Sequence, residues 1–491
     1  MSHQHNPRFL RGVLTLTMSR YLVRALGLVK GLVVARLLGP ELYGLFALLA
    51  VFMGYSAYAD LGLFGGITKA LPVHLARGED ERVRATERVG LGGVALFTSL
   101  VAIVLAGVLW RRGTAPPATL AALGLGMIAQ QFFKQCTVLL RARNRIGEAA
   151  FAFSLVQILD IVFVLLLVVP LRVTGVLLGE ALALILATAT LVRRSGFSLR
   201  MGWDARLLAR LIGSGFPLVI STMTFLMLQT VDRLLIAGYL DRTSLGHYMI
   251  GVFCASMVYY IPQSLEYVLF PSFREKLAGL APGELPPARY IDLPTRMLSY
   301  VLPPFTAAIF LALPLVGILL PDYVPGLGSA KVLVMGTFFL ALVTSATTFL
   351  IAADRHRPLL GVQAAAVLLD LGMVWGALRL GYGIEGAALA TAGSYFVYAT
   401  GSLLLAYRYL RFPVKSVPRR LAGLYAPFAY VLVAVLAVAR WSLLDTGNTI
   451  ATVALREAAL LLALAPGVWI LERATGAVSE MASMLRGAAR A

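Results

Sequence analysis

GVLTLTMSRYLVRALGLVKGLVVARLL, residues 12–38, is long enough to cross a bilayer, yet it carries Arg20, Arg24, Lys30 and Arg36 and no acidic residue. A spanning helix needs about 20 largely apolar residues, and each cation at its centre costs roughly 2.5–3.5 kcal/mol on insertion scales. At about 1.5 Å per residue, Arg24 lies ~18 Å into a helix that begins near Gly12, close to the middle of an apolar core ~30 Å thick. Arg36 stands beside Gly39 and Pro40 at the outer end, where a long side chain can snorkel to the interface. Arg20, Arg24 and Lys30 have no such exit. They predict a cationic pocket inside the membrane for an anionic ligand.

The composition around this segment excludes a soluble protein: 59% of residues are hydrophobic, 14% are charged and the mean hydropathy is +0.82. About fourteen apolar stretches are long enough to span, near 12–38, 42–70, 89–110, 117–140, 149–170, 173–192, 207–238, 244–271, 297–320, 327–353, 358–380, 384–407, 421–444 and 450–472. The fold class expected is an all-α integral membrane protein. The formal charge of +19 could suggest nucleic acid, but its distribution points elsewhere. With the N-terminus placed in the cytoplasm, 28 of the 43 Lys and Arg fall on the inner side and 8 on the outer side. That asymmetry in short loops is the positive-inside rule; it places both termini in the cytoplasm, assigns the basic pI to topology and leaves no nucleic-acid partner.

The opening MSHQHNPRFLRG runs into the first span without a small-residue cleavage site, so no cleaved signal is expected. Cys136 and Cys254 sit in apolar segments of different halves and read as buried thiols. The five histidines share no ligand spacing, so neither a metal site nor a cofactor is expected.

The chain repeats itself. ARLLGPELYGLF from Ala35 aligns with AGYLDRTSLGHY from Ala237, with Leu38 over Leu240 and Gly44 over Gly246. Asp160 before Gly175 is matched by Asp370 before Gly383. Six helices return the chain to its starting side, so the copies are parallel, and such repeats place a substrate site at their interface with alternating access as the motion. The expected organisation is an N-lobe at 1–196 (helices 1–6), a C-lobe at 197–412 (helices 7–12) around a central cavity, and two appended helices with a cytoplasmic tail at 413–491.

ARLLGPELYGLFAL and ADLGLFGGITKALP in the first copy, with DRLLIAGYL, LGHY and IPQSLEYVLFPSF in the second, resemble the oligosaccharide-lipid flippases, or polysaccharide transporters, of the multidrug/oligosaccharidyl-lipid/polysaccharide exporter superfamily. GYGIEGAALATAGSYF shares the likeness, which spans nearly the whole chain. VRALGLVKGLVVARLLG is more distantly similar to the first helix of lipid II flippases, and the resemblance sets Arg24 and Lys30 on that family's cavity cations. Lys30 stands where that family has Arg, which keeps the charge and loses the bidentate fork. The further cavity arginine of the second helix is missing from YSAYADLGLF.

The candidate substrate-binding residues are thus Arg20, Arg24, Lys30 and Lys134, each with a bland alternative. Arg20 could pair with Asp60, whose depth in the second helix matches, and Lys134 in QQFFKQ could snorkel. Asp60, Asp160 and Asp370 are candidates for ion coupling or structural pairing, since a lone buried carboxylate can titrate near neutral pH. No Gly-rich phosphate loop, nucleophile elbow or clustered acid motif occurs, so the chain reads as a transporter rather than an enzyme.

The expected function is translocation of a polyprenyl-pyrophosphate-linked oligosaccharide across the cell inner membrane, with the lipid-linked oligosaccharide, the bilayer and polysaccharide-assembly proteins as partners. A cation-coupled multidrug exporter of the same superfamily is the rival, disfavoured by a purely basic first helix. A membrane glycosyltransferase or polymerase would want a sizeable outer loop, and every outer connection here is short.

Overall fold

The computed structural model describes residues 7–196, 200–280, 284 and 286–475; the side chains of 7–25, 146, 267, 268, 271, 289, 465 and 467–475 lie outside that description. Fifteen helices follow one another: α1 (Pro7–Ser56), α2 (Leu63–Ala76), α3 (Asp80–Arg111), α4 (Pro117–Ala142), α5 (Ile146–Ser195), α6 (Ala205–Leu228), α7 (Val231–Tyr239), α8 (Arg242–Ala278), α9 (Arg289–Leu319), α10 (Leu327–Leu342), α11 (Thr344–Ala352), α12 (His356–Arg379), α13 (Gly383–Tyr409), α14 (Val417–Arg440) and α15 (Thr449–Thr475). No strand occurs among the described residues. Only helices satisfy every backbone group within one segment, which lipid requires.

Ten stretches among the described residues are long and apolar enough to cross a membrane. Two of them are bent inside their length. In α1 the chain turns at Gly39, whose φ of 71° suits a residue without Cβ, and Pro40 then starts the next helix where its missing N–H costs nothing. In α5 the turn falls at Arg172, two residues after Pro170. The helices α4 and α15 have 26 and 27 residues and lie outside those ten, so the ten stretches fall short of the fourteen the sequence pattern suggests. Lipid-facing surfaces are evident in the exposure of Ile103 (70%), Leu166 (67%) and Leu368 (68%), a degree of apolar exposure that water would not tolerate over whole helices.

The chain divides into two compact units, 1–226 and 227–491. In the first, α2 and α3 pack with α4, α5 and α6 around Leu63, Ile67, Leu71, Val94, Leu140 and Leu211, all 4% exposed or less. The approach of α2 to α6 is close enough that a Cβ on Gly66 would lie 2.2 Å from the Leu211 carbonyl oxygen. Only glycine fits there. In the second unit α10 beyond Lys331 is apolar on nearly all sides, as a central helix must be, and it is enclosed by α8, α9 and α13. The Phe338 ring of α10 stacks on Phe428 of α14 at 4.4 Å, which ties α14 to the same core.

Two spans that the sequence pattern runs straight through are interrupted. The segment at 42–70 breaks over residues 57–62, where Leu61 and Gly62 have φ of 51° and 94°, and 207–238 breaks at Gln229 and Thr230. Hydropathy averages over such breaks, because they are short and the residues on either side are largely apolar.

Candidate functional site

A helix broken inside a membrane leaves carbonyl and amide groups that water cannot reach, and side chains must satisfy them. At the 57–62 break that task falls to α4. Gln131 Nε2 donates to the Ser56 carbonyl at 2.7 Å and Lys134 Nζ to the Ala57 carbonyl at 2.6 Å. Asp60, 1% exposed, accepts the Phe64 amide at 3.0 Å, a carboxylate placed at the positive end of α2. Its other oxygen lies 3.5 Å from Lys134 Nζ, and Lys134 also stands 4.5 Å from the centre of the Phe64 ring. QQFFKQ is therefore polar for a local reason. Lys134, a candidate substrate ligand in the sequence, is engaged by the break and by Asp60, the residue expected to pair with Arg20.

Arg20 and Arg24 belong to α1, but their side chains lie outside the described residues. Lys30, a helical turn and a half further along, is described. Its Nζ lies 2.7 Å from Asp160 Oδ2 on α5 and 3.8 Å from Glu180 Oε1, on the other limb of the same kinked helix. The kink at Arg172 brings these two acids, twenty positions apart, onto one lysine. None of the three side chains is more than 21% exposed. Glu180 is the member that sequence reasoning missed. Its signal was present, a single acid inside LGEALALIL, but no motif linked it to Lys30.

The second unit holds a different cluster. Asp232, 2% exposed at the start of α7, accepts the Arg233 amide at 2.7 Å and the Tyr248 hydroxyl at 2.5 Å. Asp370 on α12 is 0% exposed, and neither of its carboxylate oxygens has a hydrogen-bond partner. Thr391 and Ser394 of α13 stand beside it, and it is near enough to Asp232 for the two charges to interact, with the Arg233 guanidinium as the cation that offsets Asp232. Unpartnered buried carboxylates are costly unless something neutralises them, so the site is suited to a proton or a small cation. Burial of the Asp232 carboxylate and its hydrogen bond to Tyr248 exclude a solvated helix terminus there.

The architecture has solved counterparts. The lipid II flippase MurJ in an inward closed conformation superposes with a TM-score of 0.68 at 13% identity, covering 94% of this chain and 99% of that one. A multidrug resistance MATE family transporter of the MOP superfamily is similar in its inward-facing conformation, with a TM-score of 0.63 at 13% identity over 80% of this chain and 95% of the other. An outward-facing MATE structure gives 0.57 at 12% identity over 85% and 98%. Identities this low establish a shared fold and nothing finer. No curated protein sequence matches significantly. Residues 9–275, more than half of the chain, match the family model described as polysaccharide biosynthesis protein. Because that match covers more than half of the chain, the chain belongs to the polysaccharide biosynthesis protein family.

Proposed function

We propose that this protein flips a polyprenyl-pyrophosphate-linked oligosaccharide, a precursor of surface polysaccharide, from the cytoplasmic to the outer leaflet of the cell inner membrane by alternating access. One observation supports the reading above others: a member of the polysaccharide biosynthesis family carries a first helix with three deep cations and no acid of its own. Because Lys30 is already neutralised by Asp160 and Glu180, Arg20 and Arg24 are the groups left to meet a diphosphate, while Lys30 fixes the helix that presents them. The lobes assigned to 1–196 and 197–412 would move as units, with 413–491 appended and both termini cytoplasmic. Asp370, with Asp232, is the coupling site we favour, since these carboxylates lack the lysine that holds Asp160. No step requires bond-making chemistry, in keeping with a transporter rather than an enzyme.

The test is transport of a fluorescent polyprenyl-pyrophosphate oligosaccharide in proteoliposomes. Arg24→Ala should abolish translocation while the protein inserts normally, and Arg24→Lys should retain part of it, because charge survives and the fork does not. Wild-type transport by a well-expressed Arg24→Ala protein would remove the proposal's central residue.

A second reading, cation-coupled drug export, draws on one feature: two carboxylates face the single lysine at position 30, leaving an acidic excess at that point of the N-terminal unit. Efflux of an organic cation by the same proteoliposomes, with no movement of the lipid-linked sugar, would establish it instead.

A further inference from the structure

At one end of the second unit, the first turns of α9 and α14 and the last turn of α13 enclose a cavity of about 430 Å³ that none of the transport chemistry uses. Small-ligand clefts span roughly 300–1,000 Å³, so the space is adequate for a headgroup. Its polar wall is Asp292, Arg296, Tyr300, Tyr407, Ser416 and the pair Arg419 and Arg420. Three guanidinium groups face one carboxylate.

The wall is built rather than casual. Arg420 Nη1 lies 2.7 Å from Asp292 Oδ2, and its guanidinium sits 4.0 Å from the centre of the Phe412 ring. Tyr407, 2% exposed, meets the same ring edge to face at 5.2 Å. Ser299 donates to the Leu424 carbonyl at 2.7 Å, and Thr400 shares a hydrogen bond with Tyr425 at 2.9 Å, so α14 is fastened to both α9 and α13. Asp292 is spent on Arg420. Arg296 and Arg419 have no carboxylate within ion-pair distance among the described residues, and both are open to the cavity mouth.

Two planar guanidinium forks without counterions, beside serine and tyrosine hydroxyls, are a receptor for phosphate oxygens. The three helix ends border apolar spans on one face of the membrane, the face that carries the excess of Lys and Arg and along which anionic headgroups lie. We propose that this cavity binds the phosphate of an anionic phospholipid headgroup and holds α14 against α9 and α13 through it. The site is separate from the transported substrate. Its success or failure leaves the flippase reading untouched.

Native mass spectrometry of the detergent-purified protein titrated with phosphatidylglycerol or phosphatidylcholine tests the inference. Each basic side chain at such a surface contributes roughly fivefold to binding, so Arg296→Gln with Arg419→Gln should weaken phosphatidylglycerol binding by about 25-fold and leave phosphatidylcholine unchanged. Both arginines are exposed, so the variant should fold; the double Lys variant, which keeps the charge, should recover most of the binding. Equal phosphatidylglycerol binding by wild type and the Gln variant overturns the proposal. Protection of the wild type by inorganic phosphate with no response to phosphatidylglycerol also overturns it, by assigning the cavity to a soluble anion.

Discussion

In the first unit the buried acids come with lysines: Asp160 lies 2.7 Å from Lys30, and Asp60 lies 3.5 Å from Lys134. In the second unit Asp370 has neither a lysine nor a hydrogen-bond partner; its charged neighbour is Asp232, whose oxygens are taken by Tyr248 and the Arg233 amide and whose charge is met by the Arg233 guanidinium. The sequence alignment expects Asp160 and Asp370 at matching places, and the difference between them lies in what the neighbouring helices supply. A paired charge resists titration and fixes helices to one another. An unpaired one invites a proton or a cation, and on that ground energy coupling is expected in the second unit and rigidity in the first.

The most damaging way to break the contrast is Lys30→Ala, which strips the cation from Asp160 and Glu180 together. Removing one partner of a buried pair costs about 3–5 kcal/mol, and Asp160→Asn added to it should restore a good part. Thermal melts of the purified proteins measure both; strictly additive losses would show that the two groups do not interact. Lys134→Met keeps most of the side-chain volume but leaves the Ala57 carbonyl and Asp60 unserved, with an expected cost of about 1–3 kcal/mol. Hydrogen exchange around residues 57–62 should rise in that variant, and unchanged protection there would mean that α4 does not hold the break.

Asp370→Asn is the opposite case. No partner is lost and a repulsion with Asp232 is relieved, so stability should change by less than about 1 kcal/mol or improve. The same variant should lose the dependence of transport on an imposed pH or sodium gradient while its binding of the lipid substrate stays near wild type. A response to both gradients equal to wild type would leave Asp370 structural and make the two units alike.

The smallest effect belongs to a charge in a loop. Glu79, between α2 and α3, is held below the usual carboxylate value of 4.5 by its hydrogen bond with His74 at 2.6 Å, with Arg82 adding to it. A depressed carboxylate contributes stability that is present above its ordinary value and lost as the pH falls through its folded value. Glu79→Gln should therefore melt slightly below wild type at pH 6 and together with it at pH 3. A gap that persists at pH 3 would mean that the contribution is not ionic.

The amino-acid sequence by itself determined the membrane class and the all-helical fold, because both rest on quantities additive along the chain: hydropathy, charge and spacing. It also singled out Lys30, Lys134, Asp60, Asp160 and Asp370, since a charge inside an apolar run is conspicuous whatever the fold. Only the tertiary structure decided the partners. Glu180 reaches Lys30 because α5 folds back at Arg172, and Lys134 serves Ala57 because the second span breaks at a point hydropathy passes over. Asp232 and Asp370 come together because α7 packs against α12, although they stand 138 positions apart in the chain. Pairing depends on which helix faces which, and helix packing is set by shape complementarity over many side chains at once, which no local pattern records.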